Sequence, residues 1–186
     1  MNTGRRRWLA LALLAPVVHG QEDAHARLRA AAERNDLAAF RAALAAGGDV
    51  NARDAQQDSA FLLAARNGHA EIVRAALAAG ADLRALNRYG STALMGPSYR
   101  GHVEVVRMLL QARIDLHHVN DLGWTALLEA IVLGRDGPAH REIVRMLVAA
   151  GSNVNQPDRE GVTPLRHAER LGQAEVARML RAAGAR

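Results

Sequence analysis

Residues 67–74 read Asn67-Gly68-His69-Ala70-Glu71-Ile72-Val73-Arg74, and residues 100–107 repeat this stretch 33 positions later as Arg100-Gly101-His102-Val103-Glu104-Val105-Val106-Arg107. Flanking signals recur in the same phase, since the Gly-Ser-Thr-Ala-Leu at 90–94 returns as Gly-Trp-Thr-Ala-Leu at 123–127. A period of roughly 20–50 residues indicates a repeat architecture, in which each unit is one supersecondary element that buries its apolar face against its neighbours.

The repeated residues resemble the ankyrin repeat, whose pattern is GxTPLHxAAxxGHxEIVxxLLxxGADVN, and the resemblance extends from residue 24 to residue 186. It implies an all-α solenoid of about five stacked helix-turn-helix units with short β-hairpin connections. We assign the domain to residues 21–186 and its units to residues 24–53, 54–86, 87–119, 120–157 and 158–186. The first and last units are caps.

Several residues of the pattern predict local structure. The hydroxyl groups of Thr92, Thr125 and Thr163 stand where they can cap the inner helix of a unit, and Pro164 stands at a first helical position. Gly80 and Gly151 stand where the outer helix ends with positive φ. The apolar pairs of the outer helices are expected to face inward and pack on neighbouring units; they are Ile72-Val73, Val105-Val106 and Ile143-Val144.

Units three and four depart from the pattern. Gly96-Pro97-Ser98 replaces the usual Ala-Ala of the inner helix, where Pro97 predicts a kink, and Arg113 replaces the glycine that ends the outer helix. We interpret the irregular helix as displacing Tyr99 and Arg100 into the groove beside Tyr89, with drift of one repeat as the alternative. Unit four carries five extra residues within 134–140, which predict either a loop near the ligand or a neutral insertion.

Residues 1–20 have the three parts of a secretory signal peptide. Arg5-Arg6-Arg7 is followed by an apolar run to Val18 and by small residues up to Gly20. The run is too short for a permanent membrane anchor. We therefore expect a periplasmic protein, with the general secretory route favoured and twin-arginine export as the alternative.

The composition excludes some classes of function. The 186 residues include no cysteine, so disulfides and thiolate chemistry are absent, and all 24 basic residues are arginine. Without the three arginines of the signal peptide the net charge falls from +5 to +2, which argues against a nucleic-acid partner.

No pattern typical of a catalytic site is visible in the sequence, so we predict that the protein is not an enzyme and has no cofactor. His69 and His102 stand at the Gly-His position of the pattern, where a structural hydrogen bond is expected. A metal-dependent hydrolase using His117, His118 and His140 is the rival interpretation. It is disfavoured because adjacent residues of an extended segment point to opposite faces, so we predict no metal site.

The outer helices carry one arginine each, at Arg41, Arg74, Arg107, Arg145 and Arg178. Glu71, Glu104, Glu142 and Glu175 lie three residues before the last four, at ion-pair spacing on a helix. A solvated, charge-balanced convex face is favoured over a stripe that recognises an anionic partner.

The resemblance implies a protein-binding module that uses the turns between units and the exposed face of the inner helices. The expected partner-binding residues are Arg66, Arg88, Tyr89, Tyr99, Arg100, Leu122, Trp124, Leu133 and Arg159. Tyrosine, tryptophan and arginine dominate interface energetics, although Tyr89 and Trp124 could instead cover neighbouring turns. The expected partner is a periplasmic or secreted protein bound by a monomer. Inhibition of, or assistance to, a specific periplasmic enzyme, for example in oxidative-stress defence, is the alternative.

Overall fold

The computed structural model describes the backbone of residues 15–186 and the side chains from residue 22 onward. Its ten helices are α1 (Ala15–Arg34), α2 (Leu37–Ala45), α3 (Ala60–Asn67), α4 (Ala70–Ala78), α5 (Met95–Arg100), α6 (Val103–Gln111), α7 (Ala126–Val132), α8 (Pro138–Ala149), α9 (Pro164–Arg170) and α10 (Ala174–Ala182). Of the predicted signal peptide, residues 1–14 lie outside the described part of the chain. No helix among the described residues has the length and apolar character needed to cross a bilayer.

The helices form two layers. The odd-numbered helices pack on one another in sequence as the inner layer, and the even-numbered helices form the outer layer behind them. The apolar pairs of α4, α6 and α8 are buried between the layers with at most 1% of their surface exposed, as the sequence predicted. Phe40 and Phe61 are the largest buried side chains of the first two units. The core is therefore continuous along the stack, as a solenoid requires.

The connections between units are turns, and the described residues contain no β-strand. The predicted β-hairpins are wrong in this respect. Each turn closes on itself through two backbone bonds, such as Asn87 N–H to Ser91 O and Gly90 N–H to Asn87 O, both at 3.0 Å. One bond from Asp121 N–H to Tyr89 O joins two neighbouring turns without extending into a ladder.

Helix caps follow the prediction in two of three units. Thr125 and Thr163 accept hydrogen bonds from the backbone N–H groups of Leu128 and Arg166, and α9 begins at Pro164. The same cap is predicted for Thr92, but α5 begins three residues later and Thr92 makes no cap bond. The prediction for Thr92 is wrong because of the proline that follows.

Pro97 explains the late start of α5. A helix starting at Ala93 would need a bond from residue 97 to the carbonyl of Ala93, which proline cannot donate. Since α5 starts at Met95, Pro97 is its third residue, where the backbone N–H has no intrahelical acceptor in any helix. The predicted kink is thus replaced by a shorter helix of six residues.

The remaining irregularities lie where the sequence placed them. Arg113 has a φ of 61°, in the left-handed region that the outer helix requires at its end. The extra residues of unit four lengthen α8 to 12 residues, with Gly137 as its N-cap and an ion pair between Asp136 and Arg141 at 2.8 Å. The insertion therefore belongs largely to the outer layer.

Candidate functional site: a cavity in the concave groove

The turns between units, which we call tips, comprise residues 54–58, 87–91, 120–124 and 158–162. Each tip begins with Asp or Asn, whose side-chain Oδ1 accepts hydrogen bonds from the backbone N–H groups two and four residues later. In the second and third tips these bonds hold the backbones of Tyr89 and Leu122, at 2.9 and 3.0 Å. Such local bonds fix the tip backbone before any partner is bound.

A cavity of about 560 Å³ opens on the concave side between the tips and the inner helices of units two to four. Seven of the nine residues predicted to bind a partner line it: Arg66, Arg88, Tyr89, Tyr99, Arg100, Leu122 and Leu133. We call it the groove cavity. Tyr99 and Arg100 lie in it together with Tyr89, as the interpretation of unit three expected.

Two of the predicted residues lie outside the groove cavity. Trp124 is half-buried in the third tip and is not among the lining residues. Arg159 lies over Gly123, where a larger residue would meet its side chain. None of the inserted residues 134–140 lines the groove cavity, although Leu133, directly before them, does. The position of the insertion therefore does not support a direct role for it in the groove.

Unit three differs from the other units at the wall of the groove cavity, where it contributes Gly96. Position 96 is nine residues after the start of its tip, and the equivalent positions of the other units hold Leu63, Glu129 and His167. The glycine at 96 lets α3 approach closely, because an added Cβ would lie only 3.1 Å from the Cα of Arg66. The departure from the repeat pattern therefore has a structural consequence on the binding face.

Glu129 lies at the floor of the groove cavity and was not among the residues singled out from the sequence. It is only 6% exposed, and its Oε1 accepts a hydrogen bond from Asn120 Nδ2 at 2.9 Å. Burial raises the pKa of Glu129 to about 7, against a smaller opposing effect of the Asn120 bond. The equivalent pair in the last unit is His167 Nε2 and Asp158 Oδ2, 2.7 Å apart.

Three arginines surround the groove cavity. Arg66 Nη1 lies 3.4 Å from Asp58 Oδ2, while its Nε is buried without a hydrogen-bond partner. The guanidinium of Arg88 lies 4.8 Å from the ring centre of Tyr89, and that of Arg100 lies 5.2 Å from the ring centre of Tyr99. Arg100 Nε also donates to the hydroxyl of Tyr99 at 2.6 Å. Both exposed arginines are thus held against aromatic rings.

The histidines at the start of the outer helices bond to the previous unit. His69 Nδ1 lies 2.7 Å from Ala32 O, and His140 Nε2 lies 2.8 Å from Tyr99 O. Gln173 serves the same purpose in the last unit, where its Nε2 donates to Ile131 O at 2.8 Å. Burial, and then nearby Arg100, lower the pKa of His102. The structural role predicted for His69 is confirmed and extends along the stack.

The residues of the rival metal site do not converge. His118 Nε2 lies 2.6 Å from Gly90 O, while His140 bonds to α5, and His117 is exposed. Within residues 22–186, no three His, Cys, Asp or Glu side chains are grouped so that they could hold a metal ion.

The convex face has the predicted charge balance. Arg74 pairs with Glu71, Arg145 with Glu142 at 2.6 Å, and Arg178 with Glu175 at 3.3 Å. Arg107 departs from the pattern because it reaches Glu142 of the next unit at 4.0 Å. Such exposed pairs contribute little stability, so the concave face is the better candidate for recognition.

Comparisons with known proteins agree with this architecture. The family model described as "Ankyrin repeats (3 copies)" matches residues 28–120 and 113–186. A crystal structure of an ankyrin repeat domain from Acinetobacter baumannii is 47% identical, with a TM-score of 0.83, over 86% of this chain and 81% of that one. The ankyrin repeat protein EF0377 is 33% identical, with a TM-score of 0.79, over 83% of this chain and 78% of that one. No curated protein matches the chain.

Proposed function

Since the chain belongs to the ankyrin-repeat family, whose fold is typically a non-catalytic scaffold for binding other proteins, we propose that its concave groove binds a periplasmic or secreted protein. The observation that carries the proposal is the groove cavity, which brings together side chains from three successive units. Its lining includes tyrosine and arginine side chains, which are enriched at protein–protein interfaces and in their hot spots.

The exposed apolar side chains support this assignment. Tyr89, Leu122 and Leu133 are 52%, 55% and 48% exposed, and all three line the groove cavity. Large apolar side chains that are exposed together mark interaction sites more often than scattered ones do. Because the tips are held by their own hydrogen bonds, a partner would meet a surface that needs little ordering.

Replacing Tyr89 and Leu122 together by alanine is expected to weaken partner binding by about 2 kcal/mol or more, as for central interface anchors. The free energy of unfolding should change little, because both side chains are about half exposed. The partner is captured from periplasmic extract on the immobilised protein and identified by mass spectrometry, and its affinity is then measured by calorimetry.

The matched control replaces Val119 and Leu171, which are exposed to a similar degree but lie outside the groove cavity. It should bind the partner as the unchanged protein does. If both double variants lose the same affinity, or if neither loses any, the groove cavity is not the binding site.

The periplasmic location is tested separately. Signal peptidase is expected to cleave after Gly20, since Val18 and Gly20 suit its preference for small residues. N-terminal sequencing of the protein from the periplasmic fraction should therefore begin at Gln21. A cytoplasmic product that still begins at Met1 would contradict the proposed location.

A further inference from the structure

The positive charges around the groove cavity are more available to a partner than the negative charges are. Its lining holds three arginines and two carboxyl groups, and both carboxyls are engaged within the chain. Asp58 bonds to Arg66, and burial raises the pKa of Asp58. Glu129 bonds to the amide of Asn120 and, within the described part of the chain, forms no ion pair with the arginines.

Arg88 and Arg100 are therefore available to a partner. Within the described residues, neither has a carboxylate oxygen within 4.0 Å, and the carboxylates of Asp58 and Asp54 act on Arg88 only over a longer distance. Stacking on Tyr89 and Tyr99 reduces the freedom that each arginine would lose on binding an anion. Arg66 adds a buried Nε–H group with no acceptor.

The excess of positive charge is confined to one end of the groove. A second cavity of about 480 Å³ adjoins the first on the side of unit one and shares Asp58, Arg66 and Arg88 with it. The lining of this second cavity holds three arginines and three carboxyl groups, the latter being Glu33, Asp54 and Asp58. Arg100 has no such counterpart among the residues of the groove cavity.

Apolar surface lies between the arginines. Leu62 and Ala93 belong to the wall of the groove cavity, and Leu122 and Leu133 stand exposed at its edge. A segment that carried charge alone would leave this surface in water, and one that was wholly apolar would bury the arginines without an anion. The lining therefore fits a segment that has both properties.

We propose that the groove cavity receives an acidic segment of the partner protein, in which an apolar side chain fills the cavity and flanking carboxylates pair with Arg88 and Arg100. The inference rests on the proposed binding function of the groove and adds the chemistry of the partner.

Three short blocked peptides test the inference on the purified isotope-labelled protein by NMR titration. The first has a central leucine flanked by glutamates, the second has lysines in place of the glutamates, and the third has serine in place of the leucine. We expect the first peptide to shift the backbone amide signals of Gly96, Tyr99 and Leu122. The lysine and serine peptides should bind more weakly, and added salt should weaken the first peptide's binding.

The Arg88→Gln/Arg100→Gln double variant is expected to bind the acidic peptide about fivefold more weakly, the effect of losing two partly exposed ion pairs. Its matched control is Arg41→Gln/Arg107→Gln, which removes the same charge from the outer helices α2 and α6. The control should bind the peptide with unchanged affinity, and urea unfolding checks that both variants are folded.

The outcomes separate the inference from the proposed function. Equal or tighter binding of the lysine peptide at the same amides would overturn the acidic segment while leaving a peptide-binding groove. Absence of binding by the acidic peptide would overturn it as well, whatever the captured partner does. If the captured partner shifts only signals of the outer helices, both the inference and the proposed function fail.

Discussion

Replacing Glu129 by glutamine is expected to stabilise the protein by about 3 kcal/mol above pH 7 and to change its stability little below pH 4.5. Burial raises the pKa of Glu129 from 4.5 to about 7. Between these values the folded protein holds a proton that the unfolded chain has released, so the stability due to this proton falls as the pH rises through the window. Each pH unit between the two pKa values changes the free energy of unfolding by about 1.4 kcal/mol. The two values are more than two pH units apart, which gives the expected difference of about 3 kcal/mol.

The glutamine side chain keeps the shape of Glu129 and an oxygen that can accept the bond from Asn120. Urea unfolding of both proteins across the window isolates this one group, because the other titrating groups are common to both. Glu160→Gln, at an exposed tip position, controls for the loss of a surface charge. A difference in unfolding free energy that stays constant with pH would show that Glu129 ionises as an exposed carboxyl does.

A second large effect is expected at Gly68, where replacement by alanine should lower the free energy of unfolding by about 3 kcal/mol. Gly68 ends α3 with a φ of 78°, which costs a residue with a Cβ about 1–2 kcal/mol. The added Cβ would also lie within 2.7 Å of three atoms of the His102 imidazole. His102 stands at the start of α6 in the next unit, so moving its ring would disturb a contact between units.

Gly80→Ala is the matched control because Gly80 has nearly the same φ, 83°, and no heavy atom within 4 Å of an added Cβ. The Gly80→Ala variant should lose only the backbone contribution to the free energy of unfolding, about 1–2 kcal/mol. Thermal and urea unfolding of the two variants measure the difference. Equal losses would mean that the contact between Gly68 and His102 contributes nothing beyond the backbone conformation.

The sequence predicted the repeat array because its signals are local. The period of 33 residues, the inward pairs such as Val105-Val106 and the caps at Thr125 and Thr163 each depend on neighbours within one unit. The positive φ of Arg113 was predictable for the same reason, since the position rather than the residue type determines the backbone there. The failure at Thr92 also has a local cause, and the proline five residues later was the signal that could have revealed it.

The sequence predicted which positions face the groove, but not which of them line the same cavity. The pattern identified Tyr89, Tyr99 and Leu122 as facing the groove, and the structure places them around one cavity. It did not distinguish these from Trp124, in the same tip as Leu122, or from Arg159, in the next tip. The difference lies in the packing, since Trp124 is half-buried in its own tip and Arg159 lies over Gly123.

Glu129 shows most clearly what the sequence determined and what the tertiary structure decided. A single carboxyl within the apolar run from Ala126 to Leu133 could have been noticed, but the run alone does not give its burial or its bond to Asn120. The sequence by itself determined the family, the order of the helices and the orientation of each unit, because these follow from interactions between residues close in the chain. Only the tertiary structure decided the cavity, the raised pKa of Glu129 and the availability of Arg88 and Arg100, because each depends on how closely separate units pack.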